Sequence, residues 1–132
     1  MTVQQTIDAL FAQLDRGIPM QDIMRANERA AGYRVVVPGD EPWLSAADWH
    51  STITVSVDRH IVRLVAILAN NPGSGAFRRT VRSIIAAGLT PCVIEPTHEM
   101  RTTLKRWNWK CKRKGCGLNS EEQWMPRKSF SI

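Results

Sequence analysis

The spacing of apolar residues predicts two helices at the start of the chain and a short strand after them. Apolar side chains recur at helical intervals over residues 3–15, and Gly17-Ile18-Pro19 ends that helix. A second helix is predicted over residues 19–31, with Gly32 as its terminator. The run Tyr-Arg-Val-Val-Val at 33–37 is then typical of a strand.

The middle of the chain predicts a hairpin followed by a helix. Residues 52–57 alternate polar and apolar side chains, which indicates a strand with one solvated face, and Asp58-Arg59 turns it into the apolar run 61–69. The second strand is expected to be buried on both faces. The apolar stripe from Phe77 to Ile85 then predicts an amphipathic helix that ends at Gly88.

The last third adds a short strand over residues 91–96, a helix over 98–107 and two short candidate strands around 109–113 and 123–125. A strand–helix–strand order implies a parallel pair with a right-handed crossover. The fold class expected is α/β or α+β, with a single mixed β-sheet flanked by helices. A chain of 132 residues suits one domain, with N-terminal helices and the first strand in residues 1–50 and a core with a tail in residues 52–127.

Charge is distributed unevenly along the chain. The formal net charge is +6, and from Thr97 onward nine basic residues face three acidic ones. Such asymmetry predicts a polyanionic partner, with a solvated basic face as the alternative. Trp107, Trp109 and Trp124 lie among these cations and could stack bases or belong to the core. The candidate nucleic-acid-binding residues are Lys105, Arg106, Lys110, Lys112, Arg113 and Lys114.

Targeting and cysteine patterns favour a reduced, cytoplasmic protein. No apolar run approaches the roughly 20 residues of a membrane-spanning helix, and the first residues lack the basic character of a signal peptide. No membrane partner is expected. Three cysteines make a complete disulfide framework an unfavourable interpretation. Cys111 and Cys116, with His98 or Cys92, lack the two close pairs of a zinc ribbon, so no metal site is predicted.

The stretch Asn-Asn-Pro-Gly-Ser-Gly-Ala-Phe, residues 70–77, lies between the most apolar run and a predicted helix. A loop of this kind leaves the first helix amides unpaired and forms an anion site. It is not a P-loop, because no lysine follows Gly75. It is also not a dinucleotide fingerprint, because Arg78 stands where a third glycine is needed.

The loop resembles the acyl-CoA loop of the GNAT acetyltransferases, whose pattern is Arg/Gln-x-x-Gly-x-Gly/Ala after a buried strand. Here it reads from Asn70 to Gly75, with Asn70 in the place of Arg or Gln. The order of hairpin, loop, helix, strand and helix is also similar. The resemblance covers about residues 52–127, and the tail is similar to small phage-encoded proteins of GNAT type, some of them related to DNA-modifying enzymes.

The resemblance implies acetyl-CoA, or another acyl-CoA, as the cofactor. Backbone amides of the loop would bind the CoA pyrophosphate, and Arg78 or Arg79 would add positive charge. The pantetheine would pair with the backbone of residues 67–69, where the strand diverges from Cys92–Glu95. The implied cofactor-binding residues are Ile67, Leu68, Ala69, Asn70, Gly73, Ser74, Gly75, Ala76 and Arg78.

The resemblance also implies attack of an amine on the acyl thioester. The candidate bases are Glu95, His98 and Glu122, with Glu121 beside the last. Glu95 is favoured, because ligands of open α/β sheets lie at the carboxyl ends of strands. The alternative for Glu95 and His98 is a role at the start of the helix over 98–107. The family's frequent tyrosine acid falls on Leu104, which cannot donate a proton.

Two functions follow from this sequence. One is an acyl-CoA-dependent N-acyltransferase that transfers acetyl from acetyl-CoA to an amine acceptor, with modified DNA or a protein as candidate acceptors. The other is a non-catalytic nucleic-acid-binding or host-directed phage protein on a GNAT-like scaffold, located in the host cytoplasm. The size of the chain also favours a homodimer that completes the sheet or the site.

Overall fold

The computed structural model describes Val3 and residues 20–115 and 120–127. Except for Val3, the helix predicted over residues 3–15 lies outside these residues, as does its terminator at 17–19. Cys116 and the end of the glycine-rich turn at 115–117 lie outside them too.

The described chain forms three helices and one mixed six-stranded sheet in the order β1-β2-β3-β4-β6-β5. The strands β3 and β4 are parallel and every other neighbouring pair is antiparallel. An α+β fold with one mixed sheet is therefore confirmed. In chain order the elements are α1 Met20–Ala30, β1 Arg34–Val36, β2 Thr54–Asp58, β3 Ile61–Ala66, α2 Ala76–Ala86, β4 Thr90–Ile94, α3 His98–Arg106, β5 Lys110–Lys114 and β6 Glu121–Met125.

The main core lies where α2 and α3 pack on one face of the sheet. Val55, Leu64 and Val93 are aligned across β2, β3 and β4 and are buried, because register partners point to the same face. Val81 and Ile84 of α2 belong to the same hydrophobic cluster, as the apolar stripe predicted. This face fixes the position of α2 and of the loop that precedes it.

The other face of β2 is buried as well, so the prediction of a solvated face over residues 52–57 was wrong. Thr54 and Ser56 are fully buried. The hydroxyl of Ser56 donates a hydrogen bond to Glu28 of α1 at 2.7 Å. The alternating pattern indicated a strand correctly, but a polar residue with a buried partner is indistinguishable in sequence from a solvated one.

A largely buried ion cluster, consisting of the buried Glu28 and Arg63 and the half-buried Glu121, connects α1, β3 and β6 beneath this face. The guanidinium of Arg63 lies 2.9 Å from Glu28 and 2.7 Å from Glu121. It also lies over the ring of Tyr33, 4.4 Å from the centroid. Burial opposes the charge of Arg63, but hydrogen bonds to Glu121 and Glu28 outweigh it and raise the pKa of Arg63. The cluster links three elements that are distant in sequence.

Candidate functional site

The parallel strands β3 and β4 separate halfway along their length. Their pairing extends from Ile61 and Thr90 to Leu64 and Val93. Thr54 of β2 lies opposite Ala66, whereas its neighbour Val55 lies opposite Leu64, so β3 contains one extra residue there. An extra residue of this kind is a β-bulge, and it bends the strand that contains it. The bulge therefore lies where β3 leaves its partner.

The separation opens a cavity of about 280 Å³, which we call the strand cleft. Its walls are residues 64–67 on one side and residues 93–97 on the other, with Met100 of α3 between them. A second cavity of about 280 Å³ lies against the glycine loop, residues 70–77. The two cavities adjoin, because both are lined by Ile67 and Met100. Together they extend from the end of β4 to the beginning of α2.

Two glycines give the loop its shape. Gly73 and Gly75 have φ values of +83° and +84°, in the region that side chains disfavour. Gly75 is the N-cap of α2 and provides no side chain to satisfy the helix amides. Among the described residues no acceptor is found for the N–H groups of Ala76, Phe77 and Arg78. These donors are the groups that an anion at a helix N-terminus uses.

The structure changes the set of amides that the resemblance implied. Of Gly73, Ser74, Gly75 and Ala76, Ser74 already donates its N–H to the carbonyl oxygen of Asn71 at 3.2 Å. An internal turn therefore occupies that donor. Phe77, which lines the loop cavity, adds an amide that has no acceptor among the described residues and that the sequence pattern did not point to.

Asn70 holds the loop in place. Its side-chain amide donates to the carbonyl oxygens of Ala46 and Ala47 at 3.2 and 3.1 Å. Its backbone N–H donates to the carbonyl oxygen of Asp48. Asn70 therefore stabilises the loop, and its side-chain amide is not directed toward a ligand.

The two arginines after the loop have different roles. Arg79 donates to the carbonyl oxygen of Ser74 at 2.6 Å and to Asp48 at 2.7 Å, and the bond to Asp48 raises the pKa of Arg79. Arg79 is therefore a brace for the loop. Arg78 is exposed and lies 5.7 Å from the ring centroid of Trp107. Arg78 is the cation better placed to meet a ligand.

Residues 67–69 follow β3 and do not belong to it. Ala69 forms an isolated antiparallel bridge with Trp49. In this bridge the backbone N–H of His50 donates to the carbonyl oxygen of Leu68, and the N–H of Asn70 donates to that of Asp48. Because successive peptide groups of an extended chain point in opposite directions, the N–H and C=O groups of Ala69 face away from Trp49. Ala69 and Ile67 line the loop cavity, whereas the exposed Leu68 does not.

Glu95 lies at the end of β4 and lines the strand cleft. Its φ of +44° turns the chain sharply, and its carboxylate accepts a hydrogen bond from the backbone N–H of Glu122 at 2.7 Å. The residue is exposed. Glu95 is therefore an oriented carboxylate at the mouth of the cleft, where the sequence placed the favoured base.

The other two candidate bases are less well placed. His98 begins α3 and is exposed. Thr97 caps the helix, because its hydroxyl oxygen accepts a hydrogen bond from the backbone N–H of Met100. Glu122 is buried and bonded to Arg101 at 2.8 and 2.9 Å and to Trp124 at 2.6 Å. The bond from Arg101 lowers the pKa of Glu122 although burial opposes it. A carboxylate held in this way accepts a proton less readily than an unpaired one.

Leu104, the residue on which the resemblance places a tyrosine, lies inside the core. Leu104 is fully buried, one helical turn after Met100. Trp107, Trp109 and Trp124 are buried too, and Trp107 stacks on Phe77 with ring centroids 5.3 Å apart. The sequence left a base-stacking surface and a core role open for these tryptophans, and the structure shows the core role.

The candidate nucleic-acid-binding residues are exposed but divided between locations. Lys110, Lys112 and Lys114 lie on one face of β5, because residues two apart on a strand share a face. Arg113 lies on the other face, 3.6 Å from Glu122. Lys105 and Arg106 lie in the last turn of α3. The tail is therefore not one continuous basic surface.

Neither of the two cysteine thiols that the structure describes has the lowered pKa of a reactive thiol. Cys92 is buried, and burial raises the pKa of its thiol to about 12. Burial also raises the pKa of the exposed Cys111. Within residues 20–115 and 120–127 no group of three or more His, Cys, Asp or Glu residues could hold a metal ion.

Fold and site together define an α+β protein whose parallel strands open beside a glycine loop at a helix N-terminus. Comparison of the chain with protein families, with curated proteins and with solved structures finds no match. Among the helices in the described part of the chain, none has both the length and the apolar character needed to cross a bilayer.

Proposed function

We propose that this protein is an acyl-CoA-dependent N-acyltransferase that uses acetyl-CoA and an amine acceptor. The observation that carries the proposal is the opening of β3 from β4 directly beside the glycine loop. Two adjoining cavities offer an apolar slot and, beside the loop, helix amides that have no acceptor among the described residues. A thioester cofactor has the matching parts, namely an extended pantetheine arm and a pyrophosphate.

The loop end suits the pyrophosphate. The amides of Ala76, Phe77 and Arg78 point out of the first turn of α2, and no acidic residue lies in that turn. The helix dipole adds partial positive charge at the same place. The left-handed glycines let the backbone approach the ligand without side-chain bulk, and a side chain added at Gly73 would meet no atom within 4 Å.

The cleft end suits the arm and the acyl group. Next to the cleft, in the loop cavity, the outward-facing peptide groups of Ala69 offer hydrogen bonds of the kind one strand offers another. Val65, Ile67 and Met100 give the slot apolar walls that exclude water from the thioester. Glu95 at its mouth is oriented to accept the proton of an attacking amine. With Leu104 buried, the thiolate leaves without a proton from that position.

Thermal unfolding in the presence of CoA tests the proposal. CoA at about a hundredfold excess over its Kd should raise the Tm by about 5–10 °C, because it binds only the folded state. Pantetheine, which lacks the pyrophosphate, should raise the Tm much less. Gly73→Asp should abolish the shift by placing a carboxylate where the pyrophosphate binds.

Gly73→Asn is the matched control. It has nearly the same shape and tolerates the left-handed conformation, but it carries no charge. It should retain most of the CoA shift. An unchanged Tm at millimolar CoA, or equal losses in the Asp and Asn variants, would contradict the proposal.

A further inference from the structure

The strand β5 forms one edge of the sheet. It pairs with β6 through Lys110 and Met125 at one end and Lys114 and Glu121 at the other. Among the described residues nothing pairs with its outer side. All five residues of β5 are exposed. An exposed edge of this kind presents unpaired N–H and C=O groups and can accept a further strand.

Inside this edge, a groove lies over β5 and the end of β6, on the face that presents the lysines. It has a volume of about 320 Å³ and an apolar floor formed by Met125 and Pro126. Lys110, Lys112 and Arg127 line it, and Nε of Arg127 donates to the carbonyl oxygen of Asn108 at 3.0 Å, which fixes that guanidinium. None of the described residues that line the groove is acidic. The groove therefore combines positive charge with an apolar floor.

The positive charges of the β5 lysines determine which kind of strand can pair with this edge. Lys110, Lys112 and Lys114 repeat at roughly 6.7 Å, the spacing of side chains on one face of a strand. A second copy of β5 would bring like charges together and be repelled. A strand with acidic residues at alternate positions would place a carboxylate beside each lysine.

Single-stranded nucleic acid fits this surface less well. Proteins that bind it combine cations with aromatic side chains on which the bases stack. Trp107, Trp109 and Trp124 are all buried, and the described residues that line the groove include no aromatic ring. The edge offers backbone pairing instead, which a nucleic acid cannot use.

We infer that the edge of β5 binds an extended acidic peptide as an added strand, with its carboxylates on Lys110, Lys112 and Lys114. Main-chain hydrogen bonds supply affinity in this type of recognition, and alternate side chains supply specificity. The inference concerns a different part of the molecule from the strand cleft and does not depend on CoA binding.

A fluorescent peptide in which Glu alternates with Val tests the inference by anisotropy. The full-length protein should bind it, more weakly as salt rises. The same peptide with alternate backbone amides methylated keeps its charge but cannot pair as a strand, and it should not bind. Lys112→Glu should weaken binding about tenfold by replacing an attraction with a repulsion.

Lys105→Glu is the matched control, because it makes the same change of charge on α3 and should alter the affinity about twofold or less. Equal thermal stability of the two variants would show that both fold. The inference is overturned if the methylated peptide binds equally well, if the two variants behave alike, or if oligothymidine binds more tightly than the peptide.

Discussion

The two ends of the parallel pair β3 and β4 differ in how their polar groups are satisfied. At the closed end, residues 61–64 pair with residues 90–93, and Arg63 binds two carboxylates beneath the sheet. At the open end, past Leu64 and Val93, the strands part and enclose the strand cleft. The same two strands therefore provide a fixed frame and an opening.

The difference indicates how the opening is maintained. A gap between strands leaves backbone groups unpaired, which is unfavourable unless neighbouring structure holds the strands apart. The bulge in β3 starts the divergence, the bridge of Ala69 to Trp49 draws the chain away, and β6 holds β4 through Val93 and Ile94. Substitutions at the closed end should therefore act on stability, and substitutions at the open end on ligand binding.

The largest effect on stability is expected from Arg63→Met, which removes the cation of the ion cluster at the closed end. The substitution leaves the buried Glu28 and the half-buried Glu121 without their cation, and a buried carboxylate that loses its cation is strongly unfavourable. The free energy of unfolding in urea should fall by about 3–5 kcal/mol, a large part of the roughly 5–15 kcal/mol that is typical of a domain.

Arg34→Met is the control for this prediction. Arg34 also bonds a carboxylate, Glu41, at 3.0 Å, but its side chain is 60% exposed. Loss of an exposed pair costs about 0–1 kcal/mol. Similar losses in the two variants would show that burial of the cluster does not determine its contribution.

The sequence predicted the order of helices and strands well, but it did not predict the ion cluster of Glu28, Arg63 and Glu121. The hairpin, α2, the parallel pair and the glycine loop follow from apolar spacing and turn residues, which act locally. The contacts of Arg63 with α1 and β6 depend on tertiary packing and have no local pattern. The sequence offered one signal, which is that Arg63 lies inside the most apolar run. An arginine in such a position needs a buried partner.

The structure brings the glycine loop and Glu95 to the same opening, but the sequence did not reveal the contacts that hold the loop. Asn70 and Arg79 brace the loop through bonds to Ala46, Ala47 and Asp48, and no spacing rule reveals such distant partners. The burial of the three tryptophans also depended on packing that composition does not specify.

A smaller effect on stability is expected from Leu104→Tyr. This substitution tests whether residue 104 lies in the core or reaches the strand cleft. Leu104 is fully buried one turn after Met100, so the larger ring and its hydroxyl would overpack the core. The free energy of unfolding should fall by about 1–3 kcal/mol, whereas the volume-conserving Leu104→Met should cost less than about 1.5 kcal/mol. The added tyrosine should not speed release of free CoA from acetyl-CoA. A faster release with unchanged stability would show that residue 104 reaches the cleft.

The smallest effect concerns Glu122, which holds Glu95 at the open end and is itself held by Arg101. Because its pKa is lowered in the folded state, its contribution to stability is complete above the ordinary value of 4.5 and is lost as the pH falls through the folded value.

Arg101→Gln should therefore lower stability at neutral pH, and the difference from the unmodified protein should shrink in acid, where the carboxyl is protonated in both proteins. Urea unfolding at a series of pH values measures this convergence. Arg106→Gln, at the exposed end of the same helix, should show a difference that does not vary with pH. A constant difference for Arg101→Gln as well would mean that its bond to Glu122 does not determine the acid stability of the open end.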